Sequence, residues 1–145
     1  MQQHVHFDSI KIIALVGFSP KKERDSYRVG TYLLHHGFEV FPIYPREEMI
    51  ANRRVYRDLS ELFAIHGNNV ILDCIVMFRN SDSCLESANE ILHLHDIQGI
   101  KLPKVFWMQR GIFNQEARMI LERKGIIVVE NRCIMVEHSK FLKCK

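Results

Sequence analysis

The stretch ALVGFSPKKERDSYRVG, residues 14–30, passes from an aliphatic run through Gly17 into a charged loop and on toward a helix. Its first residues belong to IIALV (12–16), a continuous β-branched and aliphatic run without polar alternation. That pattern predicts a strand buried on both faces of a parallel sheet. From Ser26 the apolar positions Tyr27, Val29, Tyr32, Leu33 and Leu34 suit a helix that stops at Gly37. EVFPI (39–43) then supplies a second strand.

The alternation continues to the end of the chain. Asp58 followed by Glu61 resembles a capping box for a short helix to about residue 65, and Gly67, Asn68 and Asn69 mark the turn out of it. VILDCIVMF (70–78) is the third strand. Ser83 with Glu86 predicts a helix to about residue 96, KVFWM (104–108) the fourth strand, and Asn114 caps a helix through residue 124 that Gly125 closes. IIVVE (126–130) is the fifth strand, and residues 135–142 have room for one or two last helical turns. Strands alternating with helices over short connections predict an α/β, Rossmann-like, doubly wound sheet of five parallel strands with helices on both faces. The most economical strand order is 3-2-1-4-5, with a ligand crevice at the carboxyl ends of strands one and four.

At 145 residues the chain is the size of one domain, read here as a single unit with residues 1–10 as an extension and 135–145 as a tail. Hydrophobic residues make up 47% and charged residues 26%, a soluble globular composition, and no apolar run approaches the roughly 20 residues of a membrane span. The first residues lack the basic and apolar regions of a secretion signal, so a cytoplasmic location is expected. A net charge of only +3 argues against nucleic acid as a partner. The four cysteines form no CxxC pair, which predicts free thiols and no structural metal.

Ligands of open α/β sheets bind beyond the carboxyl ends of the strands, so the short segments there carry the functional reading. After the first strand come Gly17, whose backbone turns closely, the hydroxyl of Ser19, the charges of Lys21, Lys22 and Arg24, and Ser26 at the start of a helix. Backbone N–H groups and a helix dipole there favour a phosphate; a solvated turn is the competing reading. After the second strand, an NAD-binding domain places an acidic residue for the ribose hydroxyls. Here Tyr44, Pro45 and Arg46 follow instead, and a cation suits a phosphorylated ribose, as in NADP or the 3′-phosphorylated ADP of coenzyme A. Phe78 and Arg79 after the third strand offer an apolar wall and a cation, with helix capping by Asn80, Ser81 or Ser83 as the alternative use of that segment. Gln109 and Gly111 fall where the fourth strand opens into its loop, and Trp107 within that strand reads as core.

Taken in order, VGFSPKKERDSYRV, PIYPR, MFRNS, VFWMQRGIFNQEA and NRCIMVEH resemble the small CoA-binding proteins. These are single Rossmann-like domains related to the CoA-binding domain of succinyl-CoA synthetase, and the likeness runs from about residue 11 to 138. It implies that Gly17, Ser19 and Lys21 line a pyrophosphate loop, that Pro45 and Arg46 flank the adenosine 3′-phosphate, and that Phe78 and Arg79 border the adenine. The full candidate set for coenzyme A adds Phe18, Pro20, Ser26, Arg28, Tyr44, Gln109 and Gly111. Two positions depart from the family pattern. Phe18 stands where a shorter residue is usual ("VGLS", "VGAS"), and Tyr44 precedes Pro45 where the family has Asn.

Catalysis needs a nucleophile with a base, a carboxylate pair or a metal cluster. Cys133 and His138, both after the fifth strand, are the sole pair with that chemistry, and structural roles are the simpler reading of both. The phosphorylated histidine of succinyl-CoA synthetase belongs to a separate domain, so its chemistry does not transfer. The expectation is a non-catalytic module for CoA or acyl-CoA. The alternatives are an NADP-dependent oxidoreductase, an acyl-CoA-using enzyme, or a thiol sensor in which Cys133 pairs with the CoA thiol.

Overall fold

The computed structural model describes residues 5–145; of the ten-residue extension, residues 1–4 lie outside it. Its elements are β1 (Ile12–Val16), α1 (Asp25–His35), β2 (Glu39–Ile43), the short pair β3 (Met49–Ile50) and β4 (Arg53–Arg54), and α2 (Leu59–His66). They continue with β5 (Cys74–Met77), α3 (Ser81–Gln98), β6 (Val105–Met108), α4 (Gln115–Glu122), β7 (Ile127–Val129) and α5 (Ile134–Lys143). Two helix starts follow the caps expected from the sequence, at Asp58 and Asn114, while α3 begins at Ser81 with Asn80 as its cap instead of the expected Ser83. Asp58 accepts from Glu61 N at 2.8 Å, Asn80 from Ser83 N at 2.9 Å and Asn114 from Ala117 N at 2.9 Å, each satisfying a donor that the first turn leaves open.

The main sheet is parallel and five-stranded, in the order β2-β1-β5-β6-β7. Counting only its own strands along the chain, that order is 2-1-3-4-5, not the expected 3-2-1-4-5. Pro42 is the physical reason. It has no N–H to donate, so its strand belongs at an edge. Its carbonyl faces away from β1 and accepts from Tyr56 N at 3.0 Å, while Tyr44 N donates to Tyr56 O at 2.9 Å, so the 44–56 segment covers that edge. CIVM of β5 is buried at every position and takes a central place between β1 and β6. The third strand is also shorter than its apolar run. Asp73 stands just before its first residue, its Oδ2 accepting from Lys11 N at 2.9 Å and Ile12 N at 3.0 Å.

Two apolar layers form on the two faces. One packs Ala14, Val16, Ile75, Met77, Phe106 and Val128 of the sheet under α2, α3 and α4, through Phe63, Ala88, Ile91 and Leu121. The other packs Ile13, Leu15, Val76 and Trp107 under α1 and α5, through Val29, Leu33 and Ile134. Phe7 and Ile10 join this second layer, so the extension contributes to the core, and the tail is mostly the ten-residue helix α5, which packs there through Met135 and Phe141. The β3–β4 hairpin lacks an Asn-Gly or Asp-Gly signal and turns through Ala51 (φ 50°) and Asn52 (φ 60°). No helix of the described residues is long and apolar enough to cross a membrane.

Candidate functional site

With β2 at the edge, the crossovers on either side of β1 leave toward opposite faces, so the crevice opens between β1 and β5 rather than beside the fourth strand. Gly17 sits there. Its φ of 92° is costly for any other residue, and a Cβ added to it would lie 3.0 Å from Arg79 Cγ and 3.3 Å from the Phe78 carbonyl carbon. The glycine therefore lets the loops after β1 and β5 touch. Its N–H donates to Ile43 O at 2.9 Å, drawing in the end of β2 as well.

A cleft of about 610 Å³ lies over this junction, lined by Gly17, Ser19, Lys21, Arg24, Ser26, Tyr44, Pro45, Phe78 and Arg79, with Glu23 and Asp25 at its acidic side. Its volume falls in the range of small-molecule sites. The loop is internally braced: Ser19 N donates to Ser26 Oγ at 2.9 Å and Lys21 N to Ser19 Oγ at 3.1 Å, with both serines buried. Because Ser26 Oγ serves the loop, and Arg24 at the cap position makes no side-chain cap, the N-terminus of α1 keeps open N–H groups toward the cleft. Lys21, Arg24 and Arg79 add three cations that join no ion pair among the described residues, whereas Asp25 is paired with Arg28. Open N–H groups with unpaired cations suit a phosphorylated anion.

The structure separates the sequence candidates into groups. Gly17, Ser19, Lys21, Ser26, Tyr44, Pro45, Phe78 and Arg79 come together in the cleft. Arg46 is exposed one residue beyond Pro45, outside the lining, and Pro20 is also outside it. Phe18 faces the core, fully buried, with its ring against Gly30 of α1. That explains the departure from the usual shorter residue, because glycine at 30 makes room for the ring. Gly111 closes a turn, its N–H donating to Asn131 Oδ1 at 2.6 Å. Arg28 and Gln109 line a separate recess of about 280 Å³ that shares Asp25 and Phe78 with the main cleft. Glu23 and Asp25 line the cleft without having been singled out in the sequence, whereas Arg24, read there only as loop charge, joins the lining.

Cys133 and His138 do not meet. Cys133 lines the recess, whereas His138 turns inward on α5, its Nδ1 2.9 Å from Tyr32 Oη and its ring edge-on to Phe7 and Phe38. Burial first, then His36 and Lys145, push His138 below the usual histidine range, and burial raises Tyr32. Among the described residues no group of three or more His, Cys, Asp or Glu side chains is placed to hold a metal.

The crevice, the glycine contact and the uncapped helix define a small α/β domain whose main cleft has the chemistry to accept an anion. The family model described as CoA binding domain matches residues 11–139, and the chain belongs to that CoA-binding domain family. Uncharacterized protein YneT of Bacillus subtilis (strain 168) is 31% identical over 129 residues, covering 89% of this chain and 86% of that protein. Among solved structures, a hypothetical protein from Pyrococcus horikoshii OT3 is 32% identical with a TM-score of 0.78, over 93% of this chain and 86% of the other. A protein from Thermus thermophilus gives 28% identity and a TM-score of 0.78, over 92% and 91%.

Proposed function

We propose that this domain holds coenzyme A without transforming it, with the pyrophosphate at the N-terminus of α1. The observation that carries the reading is the uncapped start of α1 facing the unpaired Lys21, Arg24 and Arg79 across Gly17 in one cleft. A pyrophosphate there accepts from the open N–H groups of the helix and is neutralised by Arg79 from the opposite loop. The 3′-phosphorylated adenosine then leaves over Tyr44 and Pro45, toward the exposed Arg46. A non-catalytic role is supported by the separate surroundings of Cys133 and His138, the thiol and the imidazole that the sequence paired.

Calorimetric titration tests this reading. CoA should bind more tightly than dephospho-CoA, and Arg46→Ala should erase that difference while leaving dephospho-CoA unaffected. Arg79→Gln should weaken both by ~1.5–3 kcal/mol, the worth of a hydrogen bond to a charged group. Absence of CoA binding overturns the proposal, and binding of NADP in its place moves the domain to the oxidoreductases.

A further inference from the structure

The recess beside the main cleft combines an apolar wall with polar groups. Val29, Phe78, Met135 and Val136 form the wall, Gln109 and Cys133 lie against it, and Asp25, Arg28 and Arg110 add charge to the lining. Gln109 is only 3% exposed. Its Oε1 accepts from Ile134 N at 2.8 Å, which fixes the orientation of the amide. The Nε2 donates to nothing among the described residues and is not sealed from solvent, so a buried amide presents an unused donor to the recess. Cys133 is half-buried at the cap position of α5, and its thiol caps nothing there.

An apolar wall with one buried amide donor and a thiol beside it matches the pantetheine arm of coenzyme A, which carries a gem-dimethyl group, two amides and a terminal thiol. The reach also agrees. β1 and β7 stand three strand spacings apart, ~14 Å. About twelve bonds separate the phosphate oxygen from the sulfur, also ~14 Å at the ~1.2 Å per bond of an extended chain.

We propose that the recess seats the pantetheine arm, with Gln109 Nε2 donating to one of its amide carbonyls, and that Cys133 there forms a mixed disulfide with oxidised coenzyme A. The inference rests on the CoA reading above and deepens it into a record of the redox state of the CoA pool. The Cys133 thiolate attacks one sulfur of the symmetrical CoA disulfide, a protein–CoA S–S bond forms, and the CoA S–S bond breaks. One CoA leaves as thiolate and takes up the proton that Cys133 gave, so Cys133 is oxidised as that CoA is reduced. Cys74 and Cys84 are fully buried and their thiols are raised by that burial, Cys84 to about 12. They take no part. Cys144 is exposed on the far end of α5 and provides an internal comparison.

The test is the rate of adduct formation at each cysteine, followed by peptide mass mapping on the full chain, with CoA disulfide and with glutathione disulfide. CoA disulfide should label Cys133 at least tenfold faster than Cys144, glutathione disulfide should show no such preference, and excess CoA lacking its sulfur should slow labelling at Cys133 alone. Gln109→Glu keeps the acceptor for Ile134 N and removes the donor; it should slow labelling of Cys133 several-fold and leave the rate at Cys144 unchanged. Equal rates at the two cysteines, or equal preference for the two disulfides, overturn the inference. Calorimetry with reduced CoA separates the two failures: binding without selective labelling defeats only the disulfide, and no binding defeats the CoA reading too.

Discussion

Gly30→Ala sets two effects of opposite sign against each other. In an exposed helix interior the exchange favours the fold by ~1 kcal/mol, because alanine restricts the unfolded chain and suits the helix. Gly30 is buried, however, and an added Cβ would come within 3.0 Å of three carbons of the Phe18 ring. The ring is fully enclosed between α1 and the sheet and has no open space to swing into. Forcing a methyl into such packing costs ~1–3 kcal/mol, and the closeness of three ring atoms puts this case at the upper end. The expected net result is a loss of ~1–2 kcal/mol, a fall of about 3–8 °C in melting temperature for a domain of this size. Phe18→Leu alone opens a small cavity and also destabilises, but with Leu at 18 the methyl at 30 has room. The double variant should therefore be more stable than the sum of the single changes by ~1 kcal/mol or more, a coupling that thermal and urea unfolding both read. Since Phe18 lies between Gly17 and Ser19, Gly30→Ala should also weaken CoA binding, and the double variant should restore it. A Gly30→Ala protein that melts higher than the parent, or strictly additive single changes, would refute the account of Phe18 as a core residue that seats the loop.

Gly17→Val places a side chain against Phe78 and Arg79 at a φ of 92°; it should destabilise by ~2 kcal/mol or more and abolish CoA binding by calorimetry. Asp73→Ala leaves the N–H groups of Lys11 and Ile12 without their carboxylate, and should lower stability in urea by ~1–3 kcal/mol with CoA affinity unchanged. His138 is held below its unfolded value, so between the two values the unfolded chain binds more protons. Its contribution is fully present above about pH 6.5 and is lost as pH falls below it. His138→Phe should flatten the fall in melting temperature between pH 7 and 5; an unchanged slope would mean that other groups set it.

The parallel sheet was legible because its strands are uninterrupted apolar runs, and two helix starts because Asp58 and Asn114 have short side chains that satisfy nearby N–H groups; at α3 Asn80 caps in place of Ser83, three residues on. These are local effects, carried by neighbours in the chain. That Gly17, Lys21 and Ser26 would lie together beyond the end of the first strand was legible for the same reason, because they follow it directly in the chain. Strand order was not read correctly, although Pro42 carried the information, because an edge is a property of the whole sheet. The destination of Phe18 was also beyond the sequence, since whether it turns to ligand or core depends on the missing Cβ of Gly30, twelve residues away on a helix. The recess is furthest from legibility. Val29, Phe78, Gln109 and Cys133 come from α1 and from the loops after three different strands, and only the packing of α5 against α1 brings them to one wall.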